Sequence, residues 1–220
     1  MNLNKFWLRV AGISGISGAL ILFAGDMLFY YGPSSIDLRA NMGHVSDLRI
    51  KLSGVAALFA SWFYLFGLIQ VYYAFKTSSA KARNIVIICF AAILTAYGVI
   101  HGAYVAIAVS SKLSVQHNID IDTATALSLE VNNLMRLFIY PIFAVLSFVF
   151  IKEVWKGNTL YPRKIIFFFP LIPFLFHEPL KRILSGGARI IIAGGFFNLI
   201  LLIFFVASTV ILWNNNPNSE

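Results

Sequence analysis

Residues 10–31 read VAGISGISGALILFAGDMLFYY, an apolar stretch interrupted by a single charge, Asp26. As a helix rising 1.5 Å per residue it is ~33 Å long, enough to cross ~30 Å of hydrocarbon. Lys5 and Arg9 precede it, so a secretory signal peptide is the alternative. A signal peptide ends on small residues soon after its apolar core, whereas this run continues past Asp26 into MLFYY, which favours a membrane helix. Gly12, Gly15 and Gly18 let a neighbouring backbone approach, the usual device of helices packed in lipid.

The rest of the chain repeats the theme. Further apolar segments run over 52–75, 84–109, 131–151, 165–180 and 190–213. Hydrophobic residues make up 59% of the 220 residues and charged residues only 12%, and the mean hydropathy is +0.81. Soluble domains carry about twice that charge, so too little polar surface remains to coat a water-soluble globule. The expected fold is all-α: one polytopic domain over 1–220, a bundle of six transmembrane helices within a range of five to seven. The fifth helix is short and kinked at Pro170, Pro173 and Pro179.

The net charge of +8 arises mostly from residues flanking the apolar runs, which points to lipid headgroups and topology rather than to nucleic acid. Six crossings put Lys5, Arg9, Lys76, Lys81, Arg83, Lys152, Lys156, Arg163 and Lys164 on one side, against Arg39, Arg49, Lys51, Lys112, Lys181, Arg182 and Arg189 on the other. Nine against seven favours a cell-membrane protein with both termini cytoplasmic. The 32–51 loop, with a turn at Gly32-Pro33 and the capping pattern Ser34-x-x-Asp37, reads as an interfacial lid carrying His44, Asp47 and Arg49. Residues 214–220 read as a polar tail. The single cysteine, Cys89, reads as a small buried apolar side chain.

The polar residues inside the spans share one depth. Asp26 lies near the end of the first span, His101 near the end of the third, and Asn133 and Arg136 near the start of the fourth with Glu130 just before. His177 and Glu178 lie near the end of the fifth, and Asn198 eight residues into the sixth. Because successive helices run in opposite directions, all fall in the half away from the termini, roughly 4–13 Å inside the boundary, Glu130 at the interface. In the other half Gln70 is the most polar interior side chain. Ionisable groups inside membrane helices cost about 2.5–3.5 kcal/mol each at the helix centre, so they pair, face the bundle interior or line a wet cavity. Helical spacing sets Tyr97, His101 and Tyr104 in one stripe and Asn133, Arg136 and Tyr140 in another.

These residues permit acid–base chemistry. Asp26, His101, His177, Glu178 and Glu130 are the candidate proton donors and acceptors. Arg136, Asn133, Tyr97, Tyr104, Tyr140 and Asn198 are the candidate substrate contacts, with His177 facing inward and Glu178 paired to Lys181 or Arg182. The histidines have no metal-ligand spacing and no nucleotide or nucleophile motif is present, so neither metal nor cofactor is expected. Ser61, Ser147 and Ser208 fall outside the polar layer and leave a Ser-His-Asp arrangement without a nucleophile. Three functions remain: an intramembrane enzyme acting on a lipid or isoprenoid, by isomerisation, cyclisation or hydrolysis; a small-molecule or proton-coupled transporter, for which a homo-oligomer would supply further spans; and a non-catalytic sensor or assembly protein. Membrane lipids and a lipid-like small molecule are the expected partners. The shape around Asp26 and His101 discriminates: a pocket open sideways to lipid, a path to both faces, or a closed network.

Overall fold

The computed structural model describes residues 4–32 and 37–214. They form α1 (Lys5–Tyr30), α2 (Leu38–His44), α3 (Asp47–Ala74), α4 (Ala80–His117), α5 (Ile121–Trp155), a 3-10 turn (Arg163–Phe168), α6 (Leu171–Phe174), α7 (His177–Ile183) and α8 (Gly186–Leu212). The protein is an all-α membrane bundle, and five of these helices are long and apolar enough to cross a membrane: α1, α3, α4, α5 and α8.

The count of five lies within the expected range of five to seven, one fewer than the six expected, because the short fifth crossing is not a continuous helix. Residues 163–183 lead the chain back along the bundle, but as a 3-10 turn and two short helices. Phe169, before Pro170, is extended (φ −67°, ψ 136°), as the ring of a following proline demands. Pro173 and Pro179 each occupy the first turn of a short helix, where a missing N–H costs no intrahelical bond. Irregular backbone at this depth must be covered by protein. Ile165 and Phe169 are fully buried, and Phe169 stacks on Phe150 with ring centroids 4.3 Å apart.

The start of α1 and the end of α8 lie at the same end of the bundle. Arg9 Nε donates to Trp213 O at 3.2 Å and its guanidinium lies 4.4 Å from the indole centroid. In this half the core is aromatic: Phe75, Phe90, Phe150, Phe169 and Phe204 pack ring against ring. Gln70 is satisfied beside it by Ser208 Oγ at 2.8 Å and Thr209 Oγ1 at 3.3 Å.

At the far end, α4 and α5 run past the expected span limits. They meet in a tight turn where Asn118 takes the left-handed conformation (φ 53°), which asparagine tolerates better than most residues, and Asp120 caps α5 through Thr123 N at 2.9 Å. The lid contains a helix, α2, capped by Asp37; Pro33 and Ser34 of the expected turn and cap lie outside the described residues, as does the tail from 215. Met42 and Val45 are buried with Phe29, Tyr30, Ile50, Ile107 and Ile190. Asn41 Nδ2 donates to Tyr30 O at 3.0 Å, Arg39 pairs with Asp122 at 2.7 Å, and Asp47 pairs with Lys112. Arg49 Nη2 donates to Met27 O at 2.9 Å and Tyr31 O at 2.7 Å, placing its positive charge at the carbonyl end of α1. His44 is exposed. At the far end α2 therefore packs on α1, α4 and the start of α8.

Candidate functional site

Four helices meet around Asp26. Its Oδ1 lies 3.1 Å from His101 Nδ1, and its Oδ2 accepts from Asn198 Nδ2 at 2.6 Å. Asn198 Oδ1 accepts from Tyr64 OH at 3.1 Å. On the other side of the imidazole, His101 Nε2 lies 2.9 Å from Ser53 Oγ, which donates to Gly25 O at 2.7 Å. Asp26, His101, Asn198, Tyr64 and Ser53 are all buried. Gly25 makes the close approach possible: a Cβ there would lie 3.1 Å from His101 Nε2.

Proton counting settles how the chain of bonds is wired. Ser53 has one hydroxyl proton, and two oxygens 2.7 Å apart need it between them, so Ser53 donates to Gly25 O. His101 Nε2 must then donate to Ser53 Oγ. The Nδ1–Asp26 contact at 3.1 Å then needs a proton between nitrogen and oxygen, whichever partner holds it.

Two adjoining cavities lie beside the pair. A small one of about 70 Å³ is lined by Asp26, Tyr30, Tyr97, His101, Tyr104, Arg136 and Asn198, among others. A larger one of about 320 Å³ shares the walls Tyr97, Arg136, Gly194 and Phe197, and extends to Tyr140, Phe174, His177, Glu178 and Phe196. Tyr140 and Phe174 on its rim are exposed on the outer surface of the helices, so the cavity faces lipid between α5 and α7–α8. Arg136 stands at the junction. Nη2 donates to Tyr104 OH at 2.6 Å, Nε has no hydrogen-bond partner, and among the described residues no carboxylate lies within ion-pair distance of the guanidinium.

The remaining candidates are distributed as follows. His177 lines the larger cavity, stacks on Phe196 with centroids 5.0 Å apart, and has Nε2 3.2 Å from Ile192 O. Glu178 sits on the rim and accepts from Lys181 Nζ at 2.8 Å. Tyr97 stacks on Phe197 at 4.0 Å, and Tyr104 packs edge-on against Tyr30 at 5.9 Å. Glu130 and Asn133 are exposed on α5 and line neither cavity. The asparagine of α5 turned inward is its neighbour, Asn132, whose Nδ2 donates to Ile100 O at 3.3 Å.

Two members of the network carry no signal at the level of sequence. Ser53 sits two residues inside a span, a depth that identifies nothing for a serine, and Tyr64 reads as one of many aromatics. Ser53–His101–Asp26 has the connectivity of a catalytic triad, but Ser53 Oγ is fully buried, its proton is committed to Gly25 O, and it lines neither cavity. It is not placed to attack a substrate.

Fold and site define a multi-pass helical membrane protein with a buried Asp–His pair beside a cavity that faces lipid. Over residues 1–215 the sequence matches a family of unknown function, DUF6796, and the chain belongs to that family. Neither the curated proteins nor the solved structures contain a match.

Proposed function

We propose that the protein is an intramembrane enzyme that moves a proton on a lipid or isoprenoid substrate bearing a small anionic or polar group. The observation that carries this reading is the Asp26–His101 contact of 3.1 Å next to a cavity whose junction holds a guanidinium with no carboxylate partner among the described residues. Arg136 anchors the polar group, with Tyr97, Tyr104 and Tyr140 around it, and the apolar body lies against Phe174, Phe196 and Phe197. The pair gives its proton to one carbon and recovers one from another. It ends as it began, and the substrate is isomerised or cyclised. His177 and Glu178 flank the mouth and shape its polarity.

Transport is less well supported, because α2 covers the far end and the aromatic core fills the half near the termini. The lysine and arginine bias of nine against seven supports placing that half in the cytoplasmic leaflet of a cell membrane, with both termini cytoplasmic.

The test uses the chemistry, since the substrate is unidentified. Purified protein is incubated with a total lipid extract in D₂O and the lipids are analysed by mass spectrometry. A carbon-bound deuterium gained in a defined lipid species, above a protein-free control, is the expected result; no such species sinks the proposal. Arg136→Gln should weaken use of that lipid by about 10- to 100-fold through KM, the value of a lost charge-assisted hydrogen bond, with little change in thermal stability. An unchanged KM would remove Arg136 from the site.

A further inference from the structure

A further cavity lies in the half near the start of α1 and the end of α8, along the outer face of α5. It has a volume of about 620 Å³, and its walls include Tyr140, Ala144, Phe148 and Ile151, with Leu171 of α6 opposite. Lys152, Trp155 and Lys156 close its end at the membrane boundary. These positions follow helical spacing, so one stripe of α5 faces the groove.

Two independent features say what fills it. The first is charge. Lys152 and Lys156 are exposed, and neither is ion-paired among the described residues. Arg163 adds a third cation: its Nε donates to Trp155 O at 2.9 Å and its guanidinium lies 5.5 Å from the indole centroid. Glu153, the acid between the lysines, is buried and accepts from Asn158 Nδ2 at 2.9 Å. The second feature is Ser147. It lines the groove, it is only 4% exposed, and its Oγ has no hydrogen-bond partner. A hydroxyl left unpaired in hydrocarbon is costly, and rotation of the Ser147 side chain towards the groove would let a ligand oxygen satisfy it.

We infer that this groove binds an anionic glycerophospholipid, with its phosphate on Lys152 and Lys156, its glycerol-ester oxygen on Ser147, and an acyl chain lying along Ala144 and Phe143 towards Tyr140. From Ser147 to Lys152 the rise along the helix is ~7.5 Å, which suits the step from ester to phosphate in such a lipid. The apolar walls take the chain without polar demands, and juxtamembrane lysines attract an anionic headgroup roughly fivefold each. The groove meets the larger cavity at Tyr140, which lines both, but Ser147, Lys152 and Lys156 lie outside that cavity, and the lipid site does not depend on the activity proposed there.

The experiment uses Trp155 as reporter. The full chain carrying Trp7→Phe, Trp62→Phe and Trp213→Phe is reconstituted in phosphatidylcholine vesicles. Increasing fractions of dibrominated phosphatidylglycerol or dibrominated phosphatidylcholine are then added. Bromine on the chain quenches indole fluorescence on contact. Phosphatidylglycerol should occupy the site at least about fivefold more strongly than phosphatidylcholine. Lys152→Gln with Lys156→Gln should bring that ratio to one, and Ser147→Leu, which fills the groove, should reduce quenching by both lipids. Equal quenching by the two lipids, or a preference that survives loss of both lysines, overturns the proposal. Native mass spectrometry of the unaltered chain from neutral detergent measures the same preference without the tryptophan substitutions: retained phosphatidylglycerol supports it, and equal retention of both lipids refutes it.

Discussion

Asp26→Asn is expected to lower deuterium incorporation by at least ~100-fold while leaving thermal stability in detergent within about 1 kcal/mol of the native chain. The wiring of the network explains why the two effects separate. Because His101 Nε2 donates to Ser53, Nδ1 is free to accept when its partner is neutral. An asparagine amide at position 26 would donate to Nδ1, and its oxygen would still accept from Asn198 Nδ2. Every hydrogen bond survives, and only the transferable proton is lost. Asp26→Leu is the contrast. It strands His101 Nδ1 and Asn198 Nδ2 in a buried place and should cost about 2–4 kcal/mol. If Asp26→Asn melts as early as Asp26→Leu, the network is an assembly device and the non-catalytic reading wins. If Asp26→Asn is stable and still incorporates deuterium at the native rate, the pair is not the proton carrier.

The second large effect concerns the scaffold. A Cβ on Gly67 would lie 2.6 Å from Gly15 Cα and 3.2 Å from Phe205 Cε1, so α1 and α3 would have to separate. Gly67→Ala should destabilise the bundle by about 3 kcal/mol, read as thermal or denaturant unfolding in detergent. The Ser53–Gly25 bond spans the same two helices, so proton transfer should fall with it. Gly102→Ala is the internal control. No atom outside its own helix lies within 4 Å of a Cβ at Gly102. The change should be neutral or stabilise by up to about 1 kcal/mol, since alanine is the better helix former. Equal loss of stability in both variants would show that the α1–α3 crossing is not the tight contact.

Legibility in the sequence followed the energetic cost of each feature. Asp26, His101 and Asn198 were readable because polar groups are rare inside apolar runs and antiparallel helices place them at one depth. Asn133 was not distinguishable from Asn132 on paper, because adjacent residues on a helix differ by only ~100° in direction and the tilt of α5 decides which one turns inward. Ser53 carried no signal, since a serine hydroxyl can satisfy itself within any helix. The fifth crossing read as a kinked helix because its length and apolarity sufficed. Its resolution into a 3-10 turn and two short helices depends on tertiary packing, with Phe169 stacked on Phe150 and edge-on to Phe204 and His177 Nε2 3.2 Å from Ile192 O of α8.

By itself, the sequence determined the membrane class, the all-helical bundle and the depth of the polar layer. Each follows from one-dimensional quantities: how long an apolar run is, where its charges fall, and how far a helix rises per residue. The tertiary structure alone decided that five helices are continuous, that Ser53 and Tyr64 complete the Asp26–His101–Asn198 network, and that Arg136 is left unpaired at the junction of two cavities. Those facts depend on helix rotation and on backbone approaches of a few ångströms, permitted by Gly25 and Gly67, and no periodicity along a single chain encodes them.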